Sequence, residues 1–248
     1  MTAVNLADLA EENMLRSIEC WVRAAGGYFQ EEDGIYSSTA PVPMRSFNQV
    51  ILRRAVRAED LRRALARFGG RERFRLRVRE DRGMDEAVLA ECGLARRGGI
   101  PSMVLEAPVR QELAVHHVRE ARDEATLADH VQVVAAAFDW DSPDLGAVFT
   151  AKLLMDESWQ AWVAYEDVEP VATAQLATTG DVGGVYYVGT LDGYRGKGYG
   201  ALTTRIAVDE AARKGCQMVG LQASPVGRPV YERLGFRVVA EYATYVPG

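Results

Sequence analysis

One seven-residue segment constrains this 248-residue chain more than any other: Tyr194-Arg195-Gly196-Lys197-Gly198-Tyr199-Gly200. It follows a β-rich apolar run at 185–191 and opens a helical pattern at 201–214. A glycine-rich turn between a strand and a helix leaves several main-chain N–H groups unpaired and pointing one way. With the helix N-terminus they make an anion site, best suited to phosphate. Gly198 and Gly200 carry no Cβ, so a ligand can approach the backbone closely and positive φ is allowed.

Three phosphate-binding patterns compete for this segment. A mononucleotide P-loop requires Gly, four residues, Gly-Lys and then Ser or Thr; here Lys197 is followed by Gly198. A dinucleotide fingerprint requires G-x-G-x-x-G, and the third glycine here falls one residue early, at Gly200. The remaining pattern is Arg or Gln, two residues, Gly, one residue, Gly or Ala. In this respect the segment resembles the pyrophosphate loop of the GNAT acetyltransferase superfamily. An apolar strand at 217–223 follows the helix, then Ser224-Pro225, a short helical pattern, and Tyr231 four residues before Gly235-Phe236. Pro225 and Pro229 suit a helix start, and Gly235 suits a helix end. The order of these elements is similar to that of the family, and residues 113–248 are identified as a member of it.

The resemblance implies a fold, a reaction and a set of residues. The fold class is α/β, a mixed-sheet GNAT-like acyl-CoA N-acyltransferase fold. The reaction is direct attack of a primary amine on acetyl-CoA in a ternary complex. Such a reaction needs no enzyme nucleophile, only positioning and acid–base help. Arg195, Gly196, Lys197, Gly198, Tyr199 and Gly200 would hold the pyrophosphate, and Val188 and Thr190 would pair with the pantetheine arm. Ser224 stands where many relatives place an asparagine, and Tyr231 is the candidate general acid for the leaving thiolate. The strand position that carries a glutamate base in some relatives is Gly184, which leaves Asp139, Asp141, Asp144, Glu241 or a water chain. A CoA-binding regulatory module without turnover is the alternative reading. Homodimer formation is also open to the fold.

Two halves are expected, residues 1–107 and 113–248, joined by a linker at 106–112. The first half reads as a helix at 7–23, a hairpin at 28–38, a strand at 48–52, a helix at 58–68, a strand at 73–79, a helix at 84–92 and a closing strand at 103–105. Its end echoes the chain's end: strand, helix and Cys92-Gly93-Leu94 against Leu234-Gly235-Phe236. A degenerate copy of the same α/β unit is the expectation, without a phosphate loop, because the turn at 52–57 has no glycine. In the second half, strands are expected at 113–118, 159–165, 171–178, 185–191, 217–223 and 237–246, and helices at 124–138, 144–155 and 201–214. Only one strand follows the last helix where the family usually has two, so the other is absent or the first half supplies it.

Composition narrows the function classes. Net charge is −6, which argues against nucleic acid as a partner. Phe74, Leu76 and Val78 alternate with arginines in the first half, which reads as a strand buried on one face with its arginines solvated. Basic and acidic residues nearly balance over 1–107, so the acidity lies in the remainder, where it would favour a cationic substrate or merely keep the surface soluble. No apolar run reaches the roughly 20 residues of a membrane span, so no membrane partner is expected. Three dispersed cysteines suggest reduced thiols, no metal site and a cytoplasmic location. Trp140, Trp159, Trp162, Tyr186 and Tyr187 are candidates to line the acceptor cleft. His130, mid-helix, reads as exposed, and His116 and His117 as packing or surface residues. The acceptor, a small-molecule or peptide amine, is not legible.

Overall fold

Eleven strands form one sheet in a computed structural model that describes residues 5–69, 73–109 and 117–248. Residues 110–112 of the expected 106–112 linker, the strand start at 113–116 with His116, and the residues at 1–4 and 70–72 lie outside the described residues, while Glu106 belongs to β5. The first half comprises α1 (Leu6–Ala24), β1 (Tyr28–Glu32), β2 (Ile35–Thr39), β3 (Gln49–Leu52), α2 (Ala58–Ala66), β4 (Arg75–Arg79), α3 (Glu86–Glu91) and β5 (Leu94–Glu106). The second comprises β6 (Val118–Glu120), α4 (Glu124–Phe138), α5 (Ser142–Gly146), β7 (Trp159–Glu166), β8 (Glu169–Thr179), β9 (Val182–Thr190), α6 (Tyr199–Arg213), β10 (Met218–Gln222), α7 (Arg228–Arg233) and β11 (Arg237–Pro247). The helix expected at 144–155 divides into α5 and a 3₁₀ turn at Ala151–Met155.

Local chemistry accounts for the main helices. Asn5 caps α1 by accepting from Ala7 N at 3.0 Å, and Asp123 caps α4 by accepting from Thr126 N at 2.8 Å. Such caps contribute about 1 kcal/mol each. In α1, Met14, Ile18, Trp21 and Val22 fall on one buried stripe. That stripe does not stay within its own half. Trp21 meets Phe47 from the first half and Phe149, Tyr186 and Tyr187 from the second, with ring centroids 5.0–6.4 Å apart. One apolar core therefore runs through both halves.

The sheet order is β1-β2-β3-β4-β11-β5-β10-β9-β8-β7-β6. Each half contributes a parallel pair bridged by a helix, β3/β4 through α2 and β9/β10 through α6. A short helix follows each pair and ends in a left-handed glycine, Gly93 (φ 76°) or Gly235 (φ 93°). Each half's last strand then sits inside the other: β11 between β4 and β5, and β5 between β11 and β10. The strand that seemed missing after α7 is thus supplied by the first half.

β5 runs 13 residues, far beyond the expected 103–105. Gly98, Gly99 and Pro101 lie within it, and its pairing with β11 carries two register shifts. A Cβ on Gly99 would stand 3.1 Å from Tyr242 O, so glycine permits the close pairing there. The β4 expectation also needs correction. Leu76 and Val78 face the α2–α3 core, but the opposite face is covered too, and Arg77 and Arg79 are only 5% and 1% exposed. A central strand in a sheet clad on both sides has no solvated face.

Candidate active site

β9 and β10 pair over only three positions, Val182–Gly184 against Met218–Gly220. Beyond Gly184 the two strands separate. β9 carries a bulge there, because the β8 register shifts between Thr173/Gly189 and Gln175/Tyr186. Tyr187 takes φ 49° within it. Regular alternation would send Tyr186 and Tyr187 to opposite faces; the bulge turns both toward Trp21.

A cavity of about 280 Å³ opens at this gap. Val188, Ser224 and Tyr231 line it from the second half, and Trp140, Tyr186 and Tyr187 add aromatic walls. Trp159 and Trp162 do not line it; Trp159 donates to Gln175 Oε1 at 2.6 Å in the interior, and Trp162 packs in the α6-side core. The opposite wall comes from the first half: Met14, Ile18, Trp21, Gln49, Arg75 and Arg77. Residue patterns in the sequence gave these no site role. The one available signal was the run of arginines at alternate β4 positions, which reads equally well as a solvated face.

The glycine-rich loop lies beside the cavity. Gly196 (φ 78°) and Gly198 (φ 90°) are left-handed, and a Cβ on either would meet open space. The main-chain N–H groups of Gly196 to Ala201 have no acceptor among the described residues, and the first α6-capping bond is Leu202 N to Gly198 O at 3.0 Å. A Cβ on Gly200 would stand 3.3 Å from Thr190 Oγ1 and 3.9 Å from Val188 Cγ1. The first turn of α6 therefore packs on the end of β9, next to the cavity wall.

Side chains around the loop are already engaged. The Arg195 fork contacts Asp192 Oδ1 at 2.8 Å and donates to Thr190 O at 3.2 Å and Ala137 O at 3.4 Å, which braces the loop against β9 and α4. Lys197 Nζ lies 4.6 Å from the Tyr194 ring centroid, and Tyr199 Oη bonds Glu166. Ser224 Oγ accepts from Gly227 N at 3.1 Å, so it braces the turn that leads into α7 while facing the cavity.

Tyr231 is 8% exposed, and burial pushes its hydroxyl up to about 12. It is therefore protonated at neutral pH. No Asp, Glu or His lines the cavity among the described residues. Asp139, Asp141 and Asp144 line a neighbouring space of about 420 Å³ that shares Ser46 and Trp140 with it. The space a residue-184 side chain would need is filled: a Cβ there would fall on Asn13 Oδ1 and 2.5 Å from the Tyr186 hydroxyl. The cationic-substrate expectation drawn from the acidic second half does not extend to the cavity, because its charged lining comes from the first half and is arginine. His130 is buried, not exposed; Nδ1 lies 2.6 Å from Thr173 Oγ1, and burial lowers it to about 3.

A parallel strand pair thus splays beside an orphaned run of main-chain amides. Residues 120–236 match the model of the Acetyltransferase (GNAT) family, so this segment is a GNAT acetyltransferase domain. Solved structures share the arrangement along nearly the whole chain. One is a GCN5-related N-acetyltransferase from Kribbella flavida, at 20% identity and TM-score 0.67, covering 95% of this chain and 96% of that one. Another is a functionally unknown conserved protein from Staphylococcus epidermidis, at 17% identity and TM-score 0.66, covering 89% and 94%. A third is a GNAT-family acetyltransferase from Novosphingobium aromaticivorans, at 16% identity and TM-score 0.61, covering 92% and 96%. At these identities they establish the fold alone. No curated protein matches the chain.

Proposed function

We propose that this chain transfers an acyl group, acetyl by family default, from acyl-CoA to an amine by direct attack within a ternary complex. The observation that carries this reading is the run of unpartnered main-chain N–H groups from Gly196 to Ala201, at the exposed N-terminus of a 15-residue helix. Those donors fit a pyrophosphate, and the α6 dipole favours its charge. Residues 195–200 would hold that group, with Lys197 adding positive charge. The separated edge of β9 at Val188 and Thr190 offers backbone groups to a pantetheine arm, as an added strand would. Acetyl-CoA supplies an activated thioester acyl group.

The chain's own part is orientation and proton handling. Tyr231 Oη, protonated and facing the cavity, can donate to a leaving thiolate. A main-chain N–H of β9 would polarise the thioester carbonyl. The aromatic walls limit water. No carboxylate lines the cavity among the described residues, so the amine's proton leaves through solvent or the neighbouring aspartate-lined space. The first half reads as a degenerate copy of the same unit, supported by the matched parallel pairs and the reciprocal strand placement. It acts as the acceptor wall. No helix among the described residues is long and apolar enough to cross a membrane, and the three cysteines are unpaired, which supports a reducing compartment.

The bare cavity also favours a second reading, a CoA-binding module without turnover. Calorimetric titration with CoA, followed by thiol release from acetyl-CoA across an amine panel, separates the two. Binding with release supports the enzyme. Binding without release across the panel supports the module, and no binding removes both.

A further inference from the structure

The three arginines on one face of β4 are treated differently by the fold. Arg79 is neutralised by Asp8 at 2.8 Å and Asp81 at 2.6 Å, with Glu11 at 3.9 Å. Arg75 and Arg77 form no ion pair among the described residues. Their shared partner is neutral: Gln49 Oε1 accepts from Arg77 Nη2 at 2.7 Å and from Arg75 Nε at 3.4 Å. Both arginines line the cavity, and Arg77 is only 5% exposed.

A buried guanidinium and a half-buried one side by side without a counter-charge are costly. Burial, with the Arg77 charge adding to it, pushes Arg75 down to about 9, so Arg75 stays cationic at neutral pH; burial lowers Arg77 as well. Two buried donors at the same wall, Arg77 Nε and Trp21 Nε1, have no acceptor either. The wall thus offers positive charge and free N–H groups, with no acid to receive them. A planar carboxylate matches such an array bidentately.

Resting on the acyltransferase reading above, we infer that the acceptor is an amine that also carries a carboxylate, seated on Arg75 and Arg77 with its apolar body between the aromatic walls. A carboxylate on the acyl donor shares this chemistry, and a comparison of succinyl-CoA with acetyl-CoA separates the two sources. The apolar side of the body meets Trp21, Tyr187 and Trp140. Sequence charge alone pointed the other way.

The test titrates the full chain with matched acids and amides: 4-(aminomethyl)benzoate against 4-(aminomethyl)benzamide, and phenylalanine against phenylalaninamide. CoA is titrated separately. At least one acid is expected to bind about tenfold or more tightly than its amide. Arg77→Gln and Arg75→Gln should reduce that preference to about unity while leaving CoA affinity unchanged. Arg75 is less buried, so its variant reads the effect even if the Arg77 variant fails to fold. Equal or undetectable binding of acids and amides to the wild type overturns the inference. So does a preference that survives both substitutions, or a preference for succinyl-CoA over acetyl-CoA that Arg75→Gln abolishes. Failure of the wild type to bind CoA would sink the acyltransferase reading, and the acid–amide comparison would still report on the arginine pair.

Discussion

The Tyr186 hydroxyl donates to Asn13 Oδ1 at 2.6 Å, joining α1 of the first half to β9 of the second. The Asn13 amide in turn donates to Val182 O at 3.0 Å and Ala177 O at 3.1 Å. This buried polar group stands where a side chain at position 184 would project. Asn13→Ala would remove the amide's bonds to two carbonyls and the acceptor of the Tyr186 hydroxyl, and should destabilise the fold by about 1–3 kcal/mol. Gly184→Glu should not create a working base; it should overpack the site at a cost of about 1–3 kcal/mol or more. Denaturant melts of both variants, with thiol release for the second, check this. A stable and more active Gly184→Glu variant would contradict it.

Gly198 precedes α6 with φ 90° and open space where a Cβ would go. Gly198→Trp should lower CoA affinity at least about tenfold, because its bulk covers the amides a pyrophosphate would use. The left-handed backbone adds a stability cost of about 1–2 kcal/mol. Gly198→Asn shares that strain in milder form without the bulk, so it should retain much more of the affinity. Calorimetry on both, with melting curves as the folding control, separates strain from occlusion.

Tyr231→Phe removes the only hydroxyl assigned to the leaving group. The expected result is a kcat lower by about 10²–10⁴, with KM for acetyl-CoA little changed. The sign of the pH dependence follows from burial. An acid works while protonated, and a hydroxyl held up to about 12 stays protonated through neutral and moderately alkaline pH. Tyr231 should therefore impose no fall in kcat between pH 7 and pH 10. A tyrosine-dependent loss in that window, absent from the phenylalanine variant, would show that its titration lies lower.

His130 is buried as the neutral imidazole, with its pKa lowered to about 3 by desolvation. In the unfolded chain it titrates near 6.5. Between those values the unfolded state binds the extra proton, so stability is full above about pH 6.5 and is lost as pH falls toward 3. The slope approaches about 1.4 kcal/mol per pH unit within the window. His130→Gln should lower stability at pH 7 by disturbing the Thr173 contact, yet flatten this slope. Urea titrations at pH 7, 6 and 5 measure both effects.

Much of the second half was legible because its signals are local. The strand, glycine turn and helix around residues 185–214 follow from apolar periodicity and two left-handed glycines, which depend on neighbours in sequence. Tyr231 and Ser224, singled out through a resemblance in spacing, both line the cavity. The arginines at 75 and 77 were misread, because alternation shows which residues share a face but not what covers it. His130 was misread for the same reason: its helix has a second packed side against Phe149 and Trp159.

The sequence by itself determined the glycine-rich turn before α6 and the helices' apolar stripes, since each rests on backbone conformation and periodicity over a few residues. Tertiary structure alone decided that β5 would complete the second half's sheet, that α1 would close the space at Gly184, and that Arg75 and Arg77 would be buried without acids beside them. Those outcomes depend on which surfaces meet across separations of a hundred residues or more, and desolvation of a charge is set by that meeting, not by the neighbours a residue has along the chain.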